Sequence, residues 1–330
     1  SSSGFNTSRL GLRGTEDLGG GLAAGFWLES PLANDSGVGN LSFTRRSTLS
    51  LTGSLGELRL GRDYTATFYA DGVFDPLGVS GVGTNVIAVV NSNLAIARGL
   101  ATGGLLGGGA SLGTDNYLRT SNAISYFLPP NLGGFYGQLQ YAFHENVDTG
   151  NVAGSPSQRG RYAGGRFGWT QGALDVALAY GESTVASTAT SREDIKTLNL
   201  GASYDFGPAK AYGELSQVRD QSKGVVAQRM DDRYDGAVVG VTVPIGPSLI
   251  RASYGRVNFK NGTNPINGDA SVNKLALGYV YNLSKRTALY ATVARISIKD
   301  GHNNPGVMGV TPQVLSNPAI IPQPGYVSNA

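Results

Sequence analysis

The 330-residue chain contains no cysteine, which excludes disulfide frameworks, thiolate metal sites, iron–sulfur clusters and cysteine nucleophiles. It has two histidines, His144 and His302, both in stretches that read as loops, so most hydrolytic and metal chemistries have little to work with. Charge is scarce: 15% of residues are charged, against about 25% in a typical soluble domain. The 26 basic and 23 acidic side chains leave a formal charge of +3 with no polybasic tract, which argues against nucleic acid as a partner. No run approaches the ~20 apolar residues of a membrane helix, so a polytopic helical membrane protein is excluded. The first six residues lack a basic-then-apolar signal pattern, and the expectation is that any secretion signal has been removed or lies outside this sequence.

Glycine is abundant, at 49 residues. It has no three-residue period, and with 40% hydrophobic residues the chain is neither collagenous nor disordered. The dominant pattern is alternation. Phe135, Leu139, Tyr141 and Phe143 oppose Tyr136, Gln138, Gln140 and Ala142; Leu174, Val176, Leu178 and Tyr180 oppose Asp175, Ala177, Ala179 and Gly181. Period two means strand. About fourteen such segments are counted, centred near residues 10, 26, 49, 59, 121, 139, 166, 177, 200, 213, 238, 252, 279 and 291. Connections alternate between short and long, with short turns expected at Glu16–Gly21, Gly53–Gly56 and Pro244–Pro247, among others.

A soluble sandwich would alternate too, but its outward face would be charged. Here the polar face is rich in Gly, Ser, Thr and Asn, and Tyr126, Phe127, Phe135, Phe143, Trp169, Tyr204 and Phe206 sit near strand ends, suiting an aromatic girdle. The pattern therefore predicts an all-β, antiparallel transmembrane barrel in one domain spanning 1–330. Residues 63–116 break it. They form a segment without alternation, apolar enough to pack inside something, and from Pro76 to Thr114 they hold no acid and one base, Arg98. Any acidic contribution must come from Asp71, Asp75 or Asp115. The glycine run 103–109 lacks the lysine of a phosphate-binding loop, and no dinucleotide fingerprint is present.

The stretch Arg9–Glu29, with Leu60-Gly61-Arg62-Asp63-Tyr64, Tyr117-Leu118-Arg119-Thr120-Ser121-Asn122 and Leu283-Ser284-Lys285-Arg286-Thr287-Ala288-Leu289-Tyr290, resembles the β-proteobacterial branch of the Gram-negative trimeric general porins. The resemblance implies an outer-membrane barrel of about sixteen strands when complete, three identical subunits, and a third loop folded into the lumen as a constriction. Fourteen visible strands then read as a chain lacking its first and last, with a true fourteen-stranded barrel as the rival.

Selectivity in such a pore follows from the charge lining its narrowest ring. The residues matching the family's basic cluster are Arg9, Arg62 and Arg119. Parity puts Arg9 and Arg119 on the polar face, whereas Arg62 needs a bulge near Gly61 to turn inward. Glu29 is the expected acidic neighbour, and Arg166 and Lys274 also face the polar side. In cation-preferring relatives the loop supplies carboxylates opposite the arginines; here it is nearly uncharged. The expectation is a general diffusion porin for small hydrophilic solutes that favours anions, in contact with outer-membrane lipid and lipopolysaccharide, with no cofactor and no metal. The alternatives are a substrate-specific channel and a surface protein acting in adhesion through its external loops. Catalysis is not expected, since neither histidine has a nearby nucleophile motif.

Overall fold

The computed structural model describes residues 6–33, 41–101, 117–144, 158, 160–187, 190–224, 231–263, 268–301 and 304–308. Fourteen strands follow one another as β1 (Arg9–Gly19), β2 (Leu22–Pro31), β3 (Arg46–Gly53), β4 (Gly56–Tyr64), β5 (Arg119–Phe127), β6 (Phe135–Ala142), β7 (Tyr162–Gln171), β8 (Leu174–Ser187), β9 (Ser191–Asp205), β10 (Lys210–Gly224), β11 (Asp231–Ile245), β12 (Ser248–Lys260), β13 (Ala270–Asn282) and β14 (Ala288–Lys299). Each pairs antiparallel with the next in a single sheet of order 1 to 14. Every expected strand centre falls in its own strand. β1 and β14 are not hydrogen-bonded to each other among the described residues, so the chain does not close as a ring of fourteen.

Register explains the two faces. Leu178 pairs with Leu200, which pairs with Leu215, and all three are exposed, an apolar ladder on the outer face. One residue away, Ala179, Asn199 and Ser216 form the matching inner row, and the Ser216 hydroxyl donates to Asn199 Oδ1 at 2.8 Å. A one-residue slip would exchange these rows, so burial fixes the register. No helix of the described residues is long and apolar enough to cross a membrane; the apolar surface is carried by strands.

Three sequence readings need correction. The first turn is shorter than expected: β1 runs to Gly19 and the reversal takes Gly20 and Gly21, both at positive φ. β11 extends through Pro244 to Ile245. Phe127 is not part of the outer aromatic girdle. It pairs with Glu57, and the Arg59 guanidinium lies 4.1 Å from its ring centroid on the inner face.

The long segment between β4 and β5 carries two α-helices and a 3₁₀ turn among its described residues. α1 (Ala66–Val73) starts at Thr65, whose hydroxyl accepts from the Phe68 N–H, and packs on the inner face at β6 to β9. A short 3₁₀ turn (Gly81–Gly83) lies against β13 and β14, and α2 (Val86–Ala101) packs on β11 to β13. Val86, Ile87, Val90 and Leu94 are buried on one side of α2, against Val238, Val257 and Val272 of the wall. Each such side chain contributes about 1.5–3 kcal/mol on burial. The inner wall is therefore locally apolar where the loop sits on it and polar elsewhere.

Candidate functional site

Opposite the wall that carries the two helices, β1 to β5 present basic side chains to the inner space. Arg9 starts β1, Arg45 immediately precedes β3, and Arg119 starts β5. These three guanidiniums line a chamber of about 280 Å³, bounded on its other side by α1 and the turn that follows it. Glu29 of β2 holds two of them: Arg45 Nε donates to Glu29 Oε1 at 2.6 Å, and Arg9 reaches the same oxygen at 3.5 Å. Arg119 has no carboxylate in this group. It donates to the Tyr64 hydroxyl at 2.9 Å and lies 4.4 Å from the centre of that ring, a cation–π contact of about 0.5–1 kcal/mol.

Arg62 is placed differently from the sequence expectation. The irregularity anticipated near Gly61 is present, since the β4–β5 register shifts between Gly61 and Asp63. Gly61 has φ 111°, a conformation that favours glycine, and a Cβ there would overlap the Ser47 carbonyl. Yet Arg62 does not line the chamber. Its Nε donates to the Thr44 carbonyl at 2.6 Å and its Nη1 to Ser121 Oγ at 2.8 Å, tying the segment that leads into β3 to β5 just behind Arg119. Sequence reasoning missed Arg45. It lies outside any alternating segment, and its only signal was the Arg45-Arg46 pair beside the Leu-Glu of the paired strand.

Further along the same wall lies a second, charge-balanced tier. Arg59 binds Glu57 through two hydrogen bonds of 2.8 and 2.9 Å and Asp63 through one of 2.7 Å, and Arg46 reaches Asp63 at 3.2 Å. Arg46 also stacks 4.0 Å from the Trp27 ring, with Arg13 5.8 Å from it. Trp27 and Tyr136 are thus guanidinium platforms. Arg166 sits between Tyr69 and Tyr136 at 4.3 and 4.9 Å, and the Tyr136 hydroxyl donates to Asp175 at 2.6 Å.

Asp63, at the start of the 63–116 segment, belongs to β4 and to that tier, whereas the two described acids beyond it, Asp71 and Asp75, are not turned toward the arginines. Asp75 uses its carboxylate on three backbone N–H groups, those of Leu77, Val79 and Asn85, at 2.9 to 3.2 Å. Burial nevertheless pushes its pKa up, with those bonds and Lys274 pulling it down. Asp71 is completely buried between α1 and the wall. It accepts from the Tyr117 hydroxyl at 2.8 Å and from the Asn199 amide, and faces the carboxyl of Glu214. Burial raises the Asp71 pKa to about 6, and raises that of Tyr117 well above the phenol range. Both carboxylates anchor the loop. The side chain of Arg98 on α2, and all of Asp115 and His302, lie outside the described residues.

The model of the Gram-negative porin family matches residues 1–301. Outer membrane porin protein 32 of Delftia acidovorans is 38% identical over 302 residues, covering 90% of this chain and 76% of that protein. An outer membrane porin protein of Bordetella pertussis is 30% identical over 322 residues, covering 87% of this chain and 76% of that protein. Among solved structures, an anion-selective porin from Comamonas acidovorans superposes with a TM-score of 0.73 at 37% identity, over 90% of this chain and 80% of that one. The fourteen-strand meander, its exposed apolar outer face and these matches agree: the chain belongs to the Gram-negative porin family, β-barrels of the outer membrane that act as passive channels.

Proposed function

We propose that this porin is a general diffusion channel that prefers small anions, that residues 63–116 form its constricting loop, and that the channel works as a homotrimer seated in outer-membrane lipid and lipopolysaccharide. One observation carries the anion preference. Among the described residues the chamber holds Arg9, Arg45 and Arg119 against a single carboxylate, Glu29, a fixed charge of +2 from these four groups, and the loop's described carboxylates Asp71 and Asp75 are buried elsewhere. Arg62, behind Arg119, adds to the same positive potential. A ring of guanidiniums in a partly wet passage favours anions, and planar forks suit carboxylates and phosphates. Similarity to the anion-selective porin of Comamonas acidovorans, at 37% identity, supports the reading.

The test is a planar bilayer recording of the full chain under a potassium chloride gradient. Conductance in steps of three with a chloride-directed reversal potential is the expected result. Replacing Arg9, Arg45 and Arg119 together by serine should move that potential toward potassium. A potassium-directed potential in the unmodified channel sinks the charge argument and leaves the porin. Folded protein without conductance would favour a role for the external loops in adhesion, and hydrolysis lost on replacing His144 would mean an enzyme.

A further inference from the structure

The two sides of the chamber differ in kind, and this bears on which anions pass. On the strand side are Arg9, Arg45 and Arg119. On the loop side the apolar contributions are Phe68 and Val73 of α1 and Val79 of the following turn, with Ser80 and the exposed Tyr69 as the polar side chains. Val79 is the informative residue. Its φ is 48°, in the left-handed region that a β-branched side chain rarely adopts and that glycine or asparagine occupies readily. Gly78 before it has φ 74°, and the Val79 N–H is held by Asp75 at 3.0 Å. The turn thus places an isopropyl group on the chamber wall, packed like Phe68 against the cluster of Ala88, Ala95 and Tyr117, at a position whose backbone disfavours it.

Resting on the anion preference proposed above, we propose that the chamber ranks anions by the character of their body: it favours amphipathic monocarboxylates, whose head meets the guanidiniums while an apolar tail lies on Phe68, Val73 and Val79. A hydroxylated anion of the same carbon skeleton must give up water from its hydroxyls against a wall that offers few partners, which opposes its passage. An alkyl tail loses nothing there and gains burial.

Hexanoate and gluconate are the probes, since both are six-carbon monocarboxylates that differ in hydroxyl content. Their permeabilities relative to chloride are read from bi-ionic reversal potentials of the full-length channel in a planar bilayer. The expected result is a hexanoate-to-gluconate ratio about tenfold above that of their mobilities in free solution, the effect of burying one or two methylenes. Changing Val73→Thr and Val79→Asn together, which alters polarity with little change in size, should bring the ratio down to the mobility value while the chloride-over-potassium preference stays. Val79→Asn alone relieves the backbone conformation, folds more readily, and should lower the ratio part of the way. A wild-type ratio equal to that of the free mobilities, or a ratio unmoved by both variants, overturns the proposal. Absence of chloride preference in the unmodified channel overturns the anion reading itself, a failure seen in a separate measurement.

Discussion

Arg45 and Arg9 share one carboxylate oxygen of Glu29, at 2.6 and 3.5 Å, so the acid lies at the fork of two guanidiniums rather than against one. It both screens the chamber and holds its arginines in place. Glu29→Gln removes the screen, raising the fixed charge from +2 to +3, and keeps a hydrogen-bond acceptor for Arg45. The chloride-to-potassium permeability ratio should rise about two- to threefold, within the range of one partly screened charge at close quarters. A ratio that falls would show that positioning outweighs screening.

Arg45 and Arg62 offer a direct comparison. Arg45 faces the chamber; Arg62 is spent on the Thr44 carbonyl and the Ser121 hydroxyl. Arg45→Gln should lower anion selectivity clearly, and Arg62→Gln should lower it less. Arg62→Gln should instead reduce stability to urea by about 1–2 kcal/mol through two lost hydrogen bonds. Equal selectivity losses in the two variants would put both side chains in the ion path.

The strands were legible because lipid on one side and water on the other impose a period of two, and all fourteen carry it. The parity argument extends to side chains within strands, which is how it assigns Arg9 and Arg119 to the polar face. It is blind just outside them. Arg45 precedes β3 by one residue, where no alternation assigns a face. The helices of the loop were equally hidden: Val86-Ile87-Ala88-Val89-Val90 is a β-branched run by propensity, and burial of Val86, Ile87, Val90 and Leu94 against the wall overrides that preference. The buried fates of Asp71 and Asp75 depend on groups far away in sequence, such as Asn199 and Glu214, that only the folded meander brings near.

Asp71 makes the loop's seating sensitive to pH. Its pKa in the folded protein is about 6, above the ordinary 3.8, because burial disfavours the charge. The protonated form therefore belongs to the folded state. Its stabilising contribution is complete below about pH 4 and is lost as pH rises through about 6. Thermal unfolding of the folded channel should show lower stability at pH 8 than at pH 5, by about 1 kcal/mol. Asp71→Asn should flatten this dependence and stabilise the protein at pH 8. A variant with the wild-type slope would place the proton elsewhere.

Phe74 tests whether the loop's position controls the passage. It follows α1, is fully buried, and rests on Gly201 of β9, where a methyl group would overlap its ring. The absent side chain at Gly201 is thus the space into which α1 is docked. Gly201→Ala must push Phe74 and α1 off the wall, toward the chamber bounded by Arg9, Arg45 and Arg119. Overpacking of this kind costs about 1–3 kcal/mol, and the single-channel conductance should drop and become noisier. Phe74→Leu frees room at the same contact. Combined with Gly201→Ala it should restore much of the conductance, so the two substitutions should be strongly non-additive, with a coupling of about 1 kcal/mol or more. Additive effects on stability and an unchanged conductance in Gly201→Ala would mean that α1 does not set the width of the pore.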